Sequence, residues 1–159
     1  MFKALKKFNF GDSFIKWVRL LYTNISSCIM NHGTTTPYFH LERGTRQGDP
    51  LSGYLFVIAL ELLSEALRSS NKIDGIKIGD ATIKLTQYVD DLTIFVSNEQ
   101  SARQVFSILE LFRIASGLRV NKDKSEGIWL GQNMNFTSQP FDIKLPKDPI
   151  RGFGCLYII

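Results

Sequence analysis

Apolar residues recur at helical spacing near the start of the chain, directly after residues that commonly cap helices. Asp12 or Ser13 can accept a hydrogen bond from the backbone of a helix that begins near Phe14. The pattern predicts an amphipathic helix with one broad apolar face packed on a core. The residues of that face are Phe14, Ile15, Trp17, Val18, Leu21 and Tyr22.

A second helix is predicted over 51–70, LSGYLFVIALELLSEALRSS. Asp49 offers a capping carboxylate and Pro50 stands at the first helical position, a combination that is typical of helix starts. The first half of this segment is apolar almost all round, which predicts deep burial. Its second half is amphipathic, which predicts a helix with one face towards solvent.

A third helix is predicted over 99–116, EQSARQVFSILELFRIAS. Ser97 or Asn98 can cap its start, and Gly117 is a natural stop because glycine adopts the left-handed conformation at helix ends. The residues of its predicted core face are Val105, Phe106, Leu109, Phe112 and Ile114.

Short strands are predicted between and after these helices. Residues 26–41 fit two strands around a turn at 31–33, and 74–80 fits a single strand. Residues 81–97 fit a hairpin that turns at Asp90-Asp91. Helices and strands mix without regular alternation, which favours an α+β fold.

The last third of the chain is less regular. Residues 118–121, 126–131 and 151–159 are further strand candidates, whereas 132–149 reads as a polar loop with three prolines. The chain length of 159 residues suits one domain with a modest core.

Composition and charge restrict the classes of function only loosely. A net charge of +4 and a pI near 9.1 fit a nucleic-acid or other polyanion partner without requiring one. Cys28 and Cys155 are far apart and form no Cys-x-x-Cys motif, which argues against a zinc site or disulfides and favours reduced thiols inside the cell. No secretory signal is recognisable at the N-terminus, and no apolar run is long enough for a membrane span.

The candidate chemistry centres on the stretch QYVDDLTIF at 87–95. Asp90 and Asp91 are adjacent carboxylates in an otherwise strand-like run, and their repulsion costs roughly 1–4 kcal/mol. A plain turn between two strands is one interpretation, although the favoured two-residue turns use Asn-Gly or Asp-Gly. A bound divalent cation would offset the repulsion, and Mg²⁺ is the natural candidate because it prefers carboxylate oxygens.

Three blocks in a fixed order give this pair its context. They are RGTRQGDPLS at 43–52, YVDD at 88–91 and GLRVNKDKSEGIWLG at 117–131. Together they resemble the reverse transcriptases of non-LTR (long-interspersed-element-type) retrotransposons. The resemblance covers nearly the whole chain, but 132–159 is a loosely matched tail.

The resemblance implies part of a polymerase palm, a small antiparallel sheet whose catalytic hairpin packs on helices. The implied reaction is nucleotidyl transfer assisted by two Mg²⁺ ions, with an RNA template, a DNA primer and deoxynucleoside triphosphates as partners. Asp90 would be the principal metal ligand and Asp91 a supporting one. The implied place of action is the nucleus or the cytoplasm.

The block at 43–52 would contact the nucleotide and the template. By resemblance, Gln47 helps to hold the incoming nucleotide, while Gly44 and Gly48 let the backbone approach the substrates closely. Arg43 and Arg46 could bind phosphates, and a solvated loop is the alternative for both.

Two residues outside this block are further candidates. Tyr88 would lie below the primer terminus, or else pack in the core as an ordinary strand aromatic. Lys124 matches a lysine near the leaving phosphate that can act as an acid, or else it is a surface lysine. Val89 replaces the alanine that is more usual in the family's version of the motif.

The family's first catalytic block, an aspartate-bearing strand followed by an Ala-Phe-Asp turn, has no counterpart in this sequence. We therefore expect residues 1–159 to be a partial domain, without the fingers, that does not polymerise alone. A truncated gene model and a decayed copy would both explain such a fragment. Two other hypotheses remain: a non-enzymatic remnant that binds nucleic acid, and a chain too incomplete to be stable. The binding residues of the remnant would be Arg43, Arg46, Lys122 and Lys124.

Overall fold

The computed structural model describes residues 1–42, 44–46, 48–128 and 155–158, and this part of the chain contains four helices and ten short strands. The helices are α1 (Phe2–Lys7), α2 (Asp12–Tyr22), α3 (Ser52–Ser69) and α4 (Glu99–Ser116). The strands are β1 (Ser26–Ser27), β2 (Met30–Asn31), β3 (Thr34–Thr35), β4 (Phe39–His40), β5 (Ile76–Ile78), β6 (Ala81–Ile83), β7 (Leu85–Tyr88), β8 (Asp91–Phe95), β9 (Glu126–Ile128) and β10 (Cys155–Ile158).

Helices and antiparallel strands occur together without parallel β-α-β units, so the predicted α+β class is confirmed for the described residues. The chain divides into two compact units, Met1–Ala59 and Leu60–Ile159, and the boundary falls within α3. No helix in the described ranges has both the length and the apolar character that crossing a bilayer would require.

The core of the first unit consists of one apolar stripe from each of its helices. Its buried members are Leu5, Ile15, Val18 and Leu55. The predicted apolar face of α2 is broader than this core, since Trp17 is 65% exposed and Leu21 is also exposed. The predicted cap is wrong too: Gly11 occupies the N-cap position and Asp12 lies in the first turn, where a carboxylate favours the helix dipole.

A β-hairpin follows α2, and its turn confirms the prediction for 31–33. His32 and Gly33 both have positive φ, 48° and 79°, which is the requirement of a type I′ turn. The hairpin spans the predicted residues but is interrupted, because β1 pairs with β4 in one register and β2 with β3 in a register shifted by one residue. The extra residue lies around Pro37, which has no N–H to donate to the ladder.

Helix α3 confirms the predicted capping role of Asp49, whose Oδ1 accepts a hydrogen bond from the Leu51 backbone N–H at 2.9 Å. The helix itself begins at Ser52, and Pro50 lies in the preceding turn. Deep burial of its first half is wrong, since Tyr54 is 73% exposed. The described residues of the first unit cover only the stripe that contains Leu55, so the remaining apolar side chains have no partner layer there.

The second unit contains a four-stranded antiparallel sheet in the order β7-β8-β10-β9. One face of β8 packs on the second half of α3 and on α4. The buried residues of this core are Leu63, Leu67, Ile73, Leu92, Ile94, Val96, Ala102, Val105 and Leu109. The strands β5 and β6 form a separate hairpin whose turn is Gly79-Asp80.

Helix α4 follows its predicted bounds closely. Asn98 caps its start by accepting a hydrogen bond from the Ser101 N–H at 2.7 Å. Gly117 ends it with a φ of 79°. The predicted core face is wrong at one position, because Ile114 is exposed.

The remaining strand predictions differ in outcome. Strands β9 and β10 confirm the candidates at 126–131 and 151–159 over the residues described. The strand predicted at 118–121 is wrong, because Asn121 instead organises a turn: its carbonyl oxygen accepts hydrogen bonds from the N–H groups of Lys124 and Ser125. The predicted loop at 132–149 lies outside the described residues.

Candidate functional site

The acidic pair lies at the tip of the β7–β8 hairpin. Tyr88 pairs with Asp91 across the two strands, so the turn consists of Val89 and Asp90. The sequence placed this turn one residue later, at Asp90-Asp91, and that placement is wrong. Consequently Asp90 belongs to the turn, whereas Asp91 is the first residue of β8.

The exposure of Asp91 follows from the core face of β8. Leu92, Ile94 and Val96 are buried, and side chains alternate between the two faces of a strand. Asp91 is therefore on the exposed face of β8, next to the turn residue Asp90.

The turn holds its first residue in an unfavourable backbone conformation. Val89 has a φ of 52°, and Asp90 is not among the residues with positive φ. Positive φ at the first central residue alone is the pattern of a type II′ turn, which normally places glycine there. For a β-branched side chain the left-handed region costs about 1–3 kcal/mol.

Two polar side chains brace this turn. The Nε2 of Gln87 donates a hydrogen bond to the Val89 carbonyl oxygen at 2.8 Å. The Ser64 hydroxyl, on α3, donates a hydrogen bond to Oε1 of the same Gln87 side chain. Sequence reasoning missed both residues, because a lone serine in a helix and a lone glutamine in a strand give no local signal.

Three side chains at the tip face solvent. Asp90 and Asp91 are exposed, and Tyr88 is 80% exposed. This exposure does not fit the interpretation of Tyr88 as a core aromatic. The tip of the hairpin therefore presents two carboxylates and a phenol ring to solvent at one end of the sheet.

The hairpin tip fits part of a divalent-cation site. Mg²⁺ is usually held by one or two carboxylates, with substrate phosphates and water completing its coordination. Within the described residues, no group of three or more His, Cys, Asp or Glu side chains lies close enough to hold a metal ion. Asp90 and Asp91 would thus supply only a fraction of the ligands.

The sheet register brings Lys124 to the same end of the sheet as the acidic pair. Tyr157 of β10 pairs with Thr93 of β8 on one side and with Glu126 of β9 on the other. Asp91 precedes Thr93 by two residues, and Lys124 precedes Glu126 by two residues. Strands β8 and β9 thus begin at the same end of the sheet, and Lys124 lies in the turn that precedes β9.

The second sequence block, 43–52, lies in the first unit, and there Arg46 is engaged with α2. Its Nη2 donates to the Leu21 carbonyl oxygen at 2.8 Å, and its guanidinium carbon lies 5.8 Å from the centre of the Tyr22 ring. The Tyr22 hydroxyl in turn contacts Ser52 Oγ at 2.9 Å and donates to Asp49 Oδ2 at 3.3 Å. These contacts tie the loop to both of its flanking helices.

Backbone conformation explains the glycines of this loop. Gly44 and Gly48 have φ of 86° and 85°, values that residues with a side chain rarely adopt. A Cβ on either residue would meet nothing within 4 Å, so free space around it is not the constraint. Arg43 and Gln47 lie outside the described residues, and the predicted roles of all four stay predictions.

The comparison with protein families decides the assignment. A family model described as reverse transcriptase (RNA-dependent DNA polymerase) matches residues 1–143. The chain belongs to the reverse transcriptase family. Its exposed YVDD hairpin at 88–91 is thus the hairpin of a reverse transcriptase domain.

Relatives of this reverse transcriptase chain include retrotransposon proteins. It is 28% identical over 153 residues to the transposon TX1 uncharacterized 149 kDa protein of Xenopus laevis, covering 95% of this chain and 12% of that protein. It is 27% identical over 124 residues to the retrovirus-related Pol polyprotein from type-2 retrotransposable element R2DM of Drosophila melanogaster, covering 78% and 11%. These similarities confirm the resemblance to non-LTR retrotransposons.

A third relative is much shorter. An uncharacterized mitochondrial protein of Arabidopsis thaliana is 32% identical over 109 residues, which cover 62% of this chain and 82% of that protein. By contrast, the reverse transcriptase chain spans little more than a tenth of the length of the two retrotransposon proteins.

Proposed function

We propose that this chain is part of the palm of an RNA-directed DNA polymerase of retrotransposon origin, acting in the nucleus or the cytoplasm. The observation that carries the proposal is the β7–β8 hairpin, which presents Asp90 and Asp91 exposed and adjacent at its tip. Such a tip lets two carboxylates reach one cation, and membership of the reverse transcriptase family supports this use.

The exposed tip residues have distinct roles in this proposal. Asp90 and Asp91 would hold Mg²⁺ at the hairpin tip. When bound there, Mg²⁺ would activate the primer 3′-hydroxyl and neutralise charge on the leaving pyrophosphate. Tyr88 offers a flat aromatic surface on which the end of the primer duplex rests. Lys124, at the same end of the sheet, donates a proton to the departing phosphate.

The loop at 43–52 serves the nucleotide and the template. Gly44 and Gly48 give the loop a positive-φ backbone that residues with a side chain rarely adopt. Arg46 holds the loop against α2 through its hydrogen bond to the Leu21 carbonyl oxygen. Gln47 contacts the incoming nucleotide, and Arg43 binds phosphate.

Completion of the metal site needs a further carboxylate strand. In reverse transcriptases that strand carries the Ala-Phe-Asp block, to which no stretch of the 159 residues corresponds. We therefore expect the 159-residue chain to give no product in primer extension with an RNA template, a DNA primer and Mg²⁺. Product that disappears in Asp90→Asn would overturn the proposed inactivity and support the polymerase assignment.

Metal binding by the chain alone gives a second test. Mn²⁺, a paramagnetic substitute for Mg²⁺, is expected to broaden the NMR signals of residues 88–92 in the wild-type chain and much less in Asp90→Asn. Asp80→Asn is the matched control, because Asp80 is an exposed single carboxylate at the tip of the neighbouring β5–β6 hairpin. Equal broadening in both variants would refute a metal site at Asp90 and Asp91.

A second function is supported by the distribution of charge. Residues 1–59 contain seven Lys or Arg and three Asp or Glu, whereas residues 60–159 contain twelve of each. The whole net charge of +4 therefore belongs to the first unit, which supports the nucleic-acid binding that a non-enzymatic remnant would retain. RNA binding that weakens with salt and is unaffected by Asp90→Asn, together with no Mn²⁺ binding, would favour this alternative.

A further inference from the structure

A chain of two hydrogen bonds connects the interior of α3 to the backbone of the acidic turn. Ser64 is fully buried on α3, and its hydroxyl donates to Gln87 Oε1. Nε2 of Gln87 then donates to the Val89 carbonyl oxygen at 2.8 Å. All three residues belong to the second unit, so the chain of contacts lies within one compact body.

The geometry of the peptide bond makes the second contact specific for Asp90. The carbonyl of Val89 and the N–H of Asp90 share one planar peptide unit. Anchoring the carbonyl oxygen therefore fixes the orientation of this plane, and with it the backbone from which the Asp90 side chain departs. The residue that carries this carbonyl group, Val89, has a positive φ of 52°.

The two contacts engage opposite ends of the Gln87 side-chain amide. A glutamine amide has one oxygen acceptor and one nitrogen donor group, and either end could face the turn. The Val89 carbonyl can only accept a hydrogen bond, so the Gln87 nitrogen faces it, and the Gln87 oxygen accepts from the Ser64 hydroxyl. A rigid helix thereby sets the orientation of a side chain that would otherwise rotate freely.

The position of Ser64 supports a specific role. Its neighbours on the inner face of α3 include Leu60, Leu63 and Leu67, and all three are buried. Alanine has the higher helix propensity and buries no polar group, so a serine here costs stability unless its hydroxyl is paired. The pairing that the structure shows is with the Gln87 side chain.

We propose that Ser64 and Gln87 are positioning residues that hold the Val89-Asp90 peptide in the orientation needed for the acidic pair to bind a divalent cation. The cation-binding part rests on the proposed function, whereas the control of the turn conformation does not. Neither residue contacts substrate or metal in this proposal; both act through the backbone of Val89.

NMR spectroscopy of the full 159-residue chain tests the conformational part. In the wild-type chain the Val89 intraresidue HN–Hα Overhauser effect should be strong, as at positive φ, and the Gln87 side-chain amide should exchange slowly with solvent. In Ser64→Ala and Gln87→Met we expect a weaker Overhauser effect at Val89 and shifted Val89 and Asp90 signals. The Gln87 amide should exchange faster in Ser64→Ala.

Matched controls separate this effect from general loss of stability. Ser101→Ala removes another almost fully buried hydroxyl, which accepts from the Asp74 N–H at 2.8 Å. Gln104→Met alters another half-buried glutamine of the same unit. Both controls should leave the Val89 and Asp90 signals in place, even where they lower the midpoint of unfolding.

Titration with Mn²⁺ tests the functional part. Removing groups that orient metal ligands typically weakens affinity 10–100-fold, and we expect about a tenfold loss in Ser64→Ala and in Gln87→Met. Unchanged Val89 signals and unchanged Mn²⁺ affinity in Gln87→Met would overturn the proposal, and this variant decides the matter if Ser64→Ala does not fold. If the wild-type chain binds no Mn²⁺, the proposed metal site fails, and the NMR signals alone still decide whether the brace controls the turn.

Discussion

At the scale of single residues, backbone crowding identifies positions that tolerate only one side chain. Gly75 is buried between α3 and β5, and an added Cβ would lie 2.3 Å from the Ile83 carbonyl oxygen and 2.8 Å from the Ile83 carbonyl carbon. Both atoms are backbone atoms of the β6 strand and cannot rotate away. Gly53 differs, because a Cβ there would meet nothing within 4 Å.

Gly75→Ala should therefore destabilise the second unit by about 1–3 kcal/mol, the usual cost of overpacking a well-packed site. The control, Gly53→Ala, lies in the exposed first turn of α3 and should be neutral or stabilising by up to about 1 kcal/mol, because alanine is the better helix former. Urea denaturation followed by circular dichroism measures both. A Gly75→Ala chain as stable as wild type would show that the two strands can separate at no cost.

The candidate site shows which residue-scale features a sequence can reveal. The motif at 88–91 identified both carboxylates and the hairpin, because paired aspartates between apolar strand positions are unusual. The residues that form the turn are given by the pairing of Tyr88 with Asp91, which the spacing of apolar residues does not reveal. The Ser64–Gln87 hydrogen bond spans 23 residues and has no local signature.

At the scale of elements, the capped ends of α3 and α4 were predictable, whereas the start of α2 and the faces determined by packing were not. Asn98, Gly117 and Asp49 act as caps because their hydrogen bonds reach only a few residues along the chain. In contrast, the exposed side of α2 and the exposed first half of α3 depend on how much apolar surface the rest of the chain covers. Helix α1 was missed, because its six residues carry no side-chain cap.

Helix α3 is capped at its C-terminal end by a residue from another element. The ammonium group of Lys84, between β6 and β7, donates to the carbonyl oxygens of Arg68 at 2.9 Å and Ser70 at 2.7 Å. The last carbonyl groups of a helix lack partners within it, and a positive charge there also favours the helix dipole. Lys84 thus links the β-hairpins to α3.

Lys84→Met keeps most of the aliphatic stem and removes the charge, so we expect a loss of about 1–2 kcal/mol from two unpaired carbonyl groups. Lys77→Met is the control, since Lys77 is exposed on β5 and should change stability by less than about 0.5 kcal/mol. Chemical denaturation at neutral pH gives both values. Equal losses in the two variants would refute the cap.

Helix α4 carries an ion pair with a defined pH dependence. Arg113 donates to both carboxylate oxygens of Glu110, from Nε at 2.7 Å and from Nη2 at 2.6 Å, and this hydrogen bonding lowers the pKa of Glu110 below its ordinary value of 4.5. A lowered carboxyl pKa stabilises the folded chain above pH 4.5. This contribution is lost as the pH falls through the pKa of the folded state.

Arg113→Gln should therefore raise the Glu110 pKa back towards 4.5, and a carbon-13 NMR titration of the side-chain carboxyl group measures this directly. The effect on stability is small, since both side chains are exposed to solvent. Arg103→Gln is the control, because Arg103 pairs with Glu99 on the same helix. A Glu110 pKa that moves equally in both variants would show a general charge effect.

At the scale of the whole molecule, charge and the acidic hairpin belong to different parts of the chain. The first unit, 1–59, holds the excess of positive charge, and the second unit, 60–159, is neutral overall and carries Asp90 and Asp91. A polymerase needs both properties, because it must attract a polyanion and hold a cation. The net charge was visible in the composition, but its division became clear only from the boundary of the two units.

This division predicts where nucleic acid binds. Lys3 and Lys6 are exposed on α1 of the first unit, and Lys72 and Lys77 are exposed in the second. Replacing either pair with glutamine lowers the net charge by two, so a difference between the double variants reflects position alone. The first pair should weaken binding to single-stranded RNA, whereas the second should change it little.

The measurement is binding of a labelled RNA oligonucleotide by fluorescence anisotropy at several salt concentrations. Each lysine that no longer neutralises a phosphate reduces the steepness of log K against log salt by about 0.7, so Lys3→Gln/Lys6→Gln should reduce it by about 1.4. The Lys72→Gln/Lys77→Gln slope should equal that of wild type. Equal slopes for the two double variants would show that the RNA responds only to the overall charge, and the assignment of binding to the first unit would then be wrong.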